Sequence, residues 1–94
     1  MNMQTKPAST APIGYQQITT LSSATPLAAP ANARWALIVP ESKDVRWRDD
    51  GANPTAAIGM PIAAGQAFEY TGDLSAIKFI EQAASAKLNV AYYD

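Results

Sequence analysis

The sequence predicts an all-β fold, a small antiparallel β-sandwich or jelly roll over residues 15–94, preceded by an extended N-terminal arm over residues 1–14. Three observations predict it. The run Val45-Arg46-Trp47-Arg48 alternates apolar and basic side chains, the period-2 signature of a strand with one wet face, and Asp50-Gly51 then breaks it. Beyond it, short apolar or alternating runs recur about every 8–12 residues with Gly, Pro, Asp and Ser between them, the rhythm of a sandwich or jelly roll. Residues 1–14, by contrast, are rich in Pro, Ala, Thr and Ser and have almost nothing to bury.

Taken in order, residues 15–21 have the Thr content and mixed alternation of a first strand, and residues 25–29 form a short second one. A turn at 30–33 leads into residues 34–39, an apolar run whose Trp35, Ile38 and Val39 favour a buried strand, with Pro40 ending its pairing. Residues 41–43 turn the chain into the 45–48 strand, and a loop follows over 49–55, punctuated by Gly51 and Pro54. Residues 57–62 read as a short strand that Pro61 confines to an edge. After a turn at 64–66, Phe68 and Tyr70 share one face of a strand over 67–71, with Glu69 on the other. Residues 77–82 put Ile77 and Phe79 inward, and residues 88–92 align Leu88, Val90 and Tyr92. Helical spacing of Leu74, Ile77, Ile80 and Glu81 competes over 74–86. The β-branched and aromatic content of 77–80 and the small-residue turn at 83–86 favour strands there.

Composition excludes several classes of function. Ninety-four residues make one domain, and a chain of this size buries only about 60–65% of the surface its unfolded form exposes. Cysteine and histidine are absent, which removes disulfides, the usual zinc sites, Ser-His-Asp and Cys-His nucleophiles and any imidazole switch. Seven scattered basic residues within a net charge of −1 argue against nucleic acid as a partner. No apolar run approaches the roughly 18–20 residues that span a bilayer, and the N-terminal stretch lacks the apolar block of a secretory signal. The expectation is a soluble protein with no cofactor, no membrane contact and no catalytic residues.

The remaining candidates each carry a structural and a functional reading. Asp49, Asp50, Asn53 and Asp73 are either ordinary turn residues or oxygen donors converging on a hard cation. Asp49 with Glu69 or Asp73 is the one carboxylate pairing open to a glycosidase. Trp35 and Trp47 are either core or a stacking platform for a sugar or partner. Arg46 and Arg48 share one strand face, spaced to pair with Glu69 or Asp44 or to grip a carboxylate-bearing partner. Tyr92 and Tyr93 place one ring on each face, one in the core and one free to cap a neighbour.

Several of these segments carry a resemblance when taken together. They are Val45-Arg46-Trp47-Arg48-Asp49-Asp50-Gly51, Pro54-Thr55, Gly59-Met60, Tyr70-Thr71-Gly72-Asp73-Leu74, Lys78-Phe79-Ile80-Glu81 and Lys87-Leu88-Asn89-Val90-Ala91-Tyr92-Tyr93. As a set they resemble a group of small virion proteins of tailed bacteriophages, over roughly residues 34–94. The resemblance implies a compact β-sandwich without a catalytic role that decorates or cements the assembled head, with a neck or tail position as the alternative. Its implied partners are the major capsid protein and copies of the chain itself, and its implied location is the virion surface after synthesis in the host cytoplasm. Arg34, Trp35, Arg46, Arg48 and Tyr93 are the expected contact residues. Within the arm, Pro7, Pro12 and Ile13 are the expected points of strand or groove addition on a neighbouring subunit. A carbohydrate-binding module using the Trp or Tyr rings is the expectation from a different class.

Overall fold

Alternation along each run decides which side chains meet between the sheets. In the computed structural model, which describes residues 11–94, it produces eight strands and no helix. They are β1 (Pro12–Ile18), β2 (Thr25–Pro26), β3 (Trp35–Glu41), β4 (Val45–Arg48), β5 (Met60–Ile62), β6 (Phe68–Tyr70), β7 (Lys78–Glu81) and β8 (Lys87–Tyr93). Two antiparallel four-stranded sheets form, in the orders β1-β8-β3-β6 and β2-β7-β4-β5. The fold is all-β, as the alternation predicts. Read across, β1 pairs with β8, β2 with β7, β3 with β6 and β4 with β5, a nested pattern in which the chain runs out and back on itself.

The core is what the period-2 faces bring together. Leu88, Val90 and Tyr92 of β8 face inward with Ala36 and Ile38 of β3, opposite Val45, Phe79 and Ile62 from the second sheet, all 3% exposed or less. Ile77 and Phe79 are fully buried, and within the segment of competing helical spacing Lys78–Glu81 is strand and the rest is turn and loop. Its partner β4 contributes Arg46, Trp47 and Arg48 to pairs with Ile80, Phe79 and Lys78, and helical backbone would leave that ladder unmade.

Five local readings are corrected. Pro12, Ile13 and Gly14 belong not to an arm but to β1, where Pro12 lies opposite Tyr93 and Gly14 opposite Tyr92 across a register shift. Pro7 lies outside the described residues. β1 ends at Ile18 instead of Leu21, and β2 is reduced to Thr25–Pro26.

Pro40 does not end β3. It stays in register opposite Leu88, and its carbonyl accepts a bond of 2.7 Å from the Gly65 amide. That carbonyl faces away from β8, and in an antiparallel strand the nitrogen of the same residue faces with it, so the missing N–H costs the β3–β8 ladder nothing. Residues 57–59 are loop, and only Met60–Ile62 pairs with β4, at the sheet edge that Pro61 predicted.

Candidate functional site

Antiparallel pairing sorts the connections to two ends. One end gathers the β2–β3, β4–β5 and β6–β7 connections (residues 27–34, 49–59 and 71–77), together with the start of β1 and the end of β8. The opposite end carries the shorter connections at 19–24, 42–44, 63–67 and 82–86. Most of the sequence-predicted site residues lie at the first, wide end.

Its central loop, 49–59, is shaped from below by Arg46. The guanidinium donates from Nε to the Ala56 carbonyl (3.1 Å) and from Nη1 to the Gly59 carbonyl (2.8 Å). Thr55 and Ile58 exchange backbone bonds of 2.8 and 3.2 Å, and the Thr55 hydroxyl accepts from the Ala57 and Ile58 amides. Gly59 has φ +142, and a Cβ there would lie 3.1 Å from both the Arg46 Cβ and the Trp47 carbonyl oxygen, so the close approach requires glycine. Arg46 is thus a clamp on its own loop. The expected pairing with Glu69 or Asp44 is replaced by main-chain carbonyls, and its bond to Gly59 is partly buried.

The clamped loop presents Ile58 and Met60, each 57% exposed, beside the half-buried Trp47. Trp47 stacks on Phe68 at 5.2 Å between ring centroids and meets the edge of Tyr70 at 6.0 Å, closing the space between the sheets at this end. The result is an open cleft of about 510 Å³, floored by Trp47, Ile58 and Met60 and rimmed by Arg48, Asp49 and Asp50. Sequence reasoning missed Ile58 and Met60. The available signal was two large apolar residues flanking a glycine in a stretch that Pro61 already marked as an edge.

The rim charges have local partners. Arg48 makes a two-pronged pair with Asp50, Nε to Oδ1 at 3.0 Å and Nη2 to Oδ2 at 2.6 Å, on an exposed turn. That hydrogen bonding holds the Asp50 carboxyl below its ordinary range and raises the Arg48 guanidinium further. Asp49 accepts the Tyr70 hydroxyl at 2.7 Å, which also reaches the Asp73 carbonyl at 3.3 Å. Burial first, and then the bonded Asp49 carboxylate, push the Tyr70 phenol well above its ordinary range. Gly72 makes room for this ring, since a Cβ there would lie 2.5 Å from the Tyr70 oxygen.

The proposed cation set does not converge. Asn53 accepts from the Lys78 ammonium at 3.1 Å, and Asp73 accepts from the Ser75 amide and hydroxyl at 2.9 and 2.6 Å. Those bonds also lower the Asp73 carboxyl from its ordinary range. Among the described residues no group of three Asp or Glu side chains gathers as a metal site. The candidate acid pairs are separated by role. Glu69 lies on the outer face of β6 opposite Leu37, while Asp49 binds the inward Tyr70, whose hydroxyl also accounts for the approach of Asp73.

The other candidates lie around the β1–β8–β3 corner of the same end. Arg34 is exposed and, with Leu27, Leu74 and Asp73, lines a second open cleft of about 500 Å³. Trp35 is only 5% exposed and stacks on Tyr93 at 4.4 Å and 12° between planes, on the face of the sheet opposite the core. It therefore offers little open platform. Tyr92 is the inward ring of the terminal pair, donating to Gln16 Oε1 at 2.6 Å, and burial pushes its phenol up to about 12. No family model, curated protein or solved structure matches this chain.

Proposed function

We propose that this chain is a non-enzymatic structural protein of a tailed-phage virion, a decoration or cement protein that binds the assembled head through its wide end. The observation that carries the reading is the cleft beside the 49–59 loop, where Ile58 and Met60 stand exposed around Trp47 on a clamped scaffold. Large apolar side chains held in the open by a rigid frame are the makings of a protein contact, and a rim of charges sets its register. The nested pairing of β1 with β8 through β4 with β5 supports a jelly-roll reading, an architecture used by viral capsid domains. Fold alone does not carry function, so the weight rests on the cleft.

A protein that binds only the assembled shell stabilises that shell by mass action. Major capsid protein is the partner in this reading, and the particle surface is the location. Arg34 and Arg48 supply the charged contacts, with Arg46 acting through the loop it holds. Quantitative mass spectrometry of purified particles is the test, counting this chain against the major shell protein. Hundreds of copies support head decoration, a dozen or so move the chain to the neck or tail, and none overturns the virion reading. Replacing Ile58 and Met60 together by Ser removes the apolar floor without touching the core, so occupancy on particles falls while the fold persists; unchanged occupancy removes the cleft from the contact.

The half-exposed Trp47 beside two carboxylates also favours a second reading, a carbohydrate site in the same cleft. Quenching of Trp fluorescence by host glycans supports it, and a flat titration removes it.

A further inference from the structure

Four strands lie at sheet edges, and three of them are blunted. β2 has two residues and ends on Pro26, β5 has three and contains Pro61, and β6 has three and carries Glu69 at its centre. Short length, proline and charge are the usual defences of an edge against pairing with another chain. β1 has little of this. It runs for seven residues, Pro12–Ile18, its only proline is the first residue, and it contains no charged side chain. Among the described residues no strand lies on its outer side.

The register fixes which main-chain groups point out of that edge. The Arg34 amide donates to the Tyr93 carbonyl at 2.7 Å, so the backbone of Tyr93 faces β3. Alternation then turns Tyr92, Val90 and Leu88 toward β1, where their register partners are Gly14, Gln16 and Ile18. The N–H and C=O groups of Tyr15 and Gln17 therefore point away from the sheet. Their side chains do not cover the edge. The Tyr15 hydroxyl and Gln17 Nε2 both donate to Asn89 Oδ1, at 2.7 and 3.0 Å, which lays both side chains back over β8. Tyr15 is nonetheless 65% exposed.

We infer that β1 is a self-association edge, pairing antiparallel with β1 of a second copy of this chain about a two-fold axis through Gln16. In that register Tyr15 stands opposite Gln17 of the second copy, and the reverse. Each such pair exchanges two N–H to C=O bonds, so all eight N–H and C=O groups of Tyr15 and Gln17 in the two strands are satisfied. An uncharged strand meets no like-charge repulsion when it faces itself, and the two sheets merge into one of eight strands with β6 at both ends. The occupant is a second copy because the strand is its own complement under a two-fold.

The experiment uses the full chain, with mass by light scattering and amide exchange read residue by residue. Wild-type protein has twice the mass of the 10.0 kDa chain, and the Tyr15 and Gln17 amides are protected together with those of Gly14, Gln16 and Ile18. Gln17→Pro removes an outward N–H that β8 does not use, and Gln17→Lys sets like charges diagonally across the axis on one face of the merged sheet. Both variants have the mass of one chain with the wild-type far-ultraviolet dichroism. If Gln17→Pro fails to fold, Gln17→Lys decides alone.

A wild-type chain that is monomeric at every concentration overturns the inference, as does a dimer that survives in every folded edge variant. A dimer whose Tyr15 and Gln17 amides exchange freely has its interface elsewhere and overturns it too. Protection of those amides at monomer mass would mean that the edge is covered from within the chain, which also rejects the second copy.

Discussion

The two ends of the sandwich are made by the same eight strands and are held in different ways. At the narrow end most ties are made by main-chain amides, which donate across the sequence to carbonyls and to the oxygens of Asp44, Gln66 and Glu81. The Gly65 amide binds the Pro40 carbonyl at 2.7 Å, the Gln82 amide binds the Asp44 carbonyl at 3.0 Å, and the Ala64 amide binds the Asp44 carboxylate at 2.8 Å. At the wide end side-chain donors add longer reaches to the turns' own backbone bonds: Arg46 on two carbonyls, Tyr70 on Asp49, Arg48 on Asp50 and Lys78 on Asn53. A loop held by side-chain donors from the strand beneath it can vary its presented surface without disturbing the ladders. The exposed apolar residues stand on such a loop.

The contrast is broken most severely by attacking the frame that both ends share. Phe79 is fully buried opposite Trp47, and Phe79→Ala costs about 3–5 kcal/mol, the range for truncating a large core aromatic. In denaturant unfolding both ends are lost in one transition at a lower midpoint. A transition that splits in two would show that the ends are independent units.

A smaller effect sharpens the contrast. Gly59→Ala forces a side chain into a positive φ against Arg46 and Trp47, costing about 1–3 kcal/mol, the range for local backbone strain. The damage stays local: proteolytic nicking within 49–59 rises while the narrow end resists as before. Equal nicking at both ends would show that the Arg46 clamp does not act locally on 49–59.

The gentlest test is alkaline. Tyr70 and Tyr92 hold their protons more tightly folded than unfolded, Tyr92 up to about 12 against an ordinary 10.0. A raised folded value means that their stability contribution is complete below pH 10 and is lost as pH climbs through the folded value. Circular dichroism and tyrosinate absorbance recorded together give unfolding that begins near pH 10 and proceeds toward about 12. Tyr70→Phe, which removes one of the two groups at the wide end, makes the loss with pH shallower. Stability that is flat across that window would mean that neither ring is sealed.

The strands were legible where period-2 alternation ran unbroken. Val45–Arg48 emerges with the bounds its pattern predicts, and Ile77, Phe79, Leu88, Val90 and Tyr92 face the core as spaced. Pro40 was misread because a proline's effect depends on which way its nitrogen faces, and that is set by a neighbour many residues away. Arg46 was misread for a related reason. Carboxylates are visible in a sequence as partners, but the carbonyls of Ala56 and Gly59 become available only when the loop folds back over β4. Asp50 and Asp73 bind donors two residues away and Asp49 binds the Tyr70 hydroxyl of β6, contacts that only the folded loops bring near.

What the sequence determined by itself was the class of structure and its faces, because the alternation of side chains about a strand is a property of the backbone and needs no neighbour. It also determined the chemistry that is missing, since a chain without Cys or His has no thiolate or imidazole however it folds. The tertiary structure alone decided the strand order, the gathering of three long loops at one end, the clamp on 49–59 and the place of β1 at the margin of its sheet among the described residues. Those depend on which strand lies beside which, and pairing is settled by non-local contacts whose energy no single segment contains.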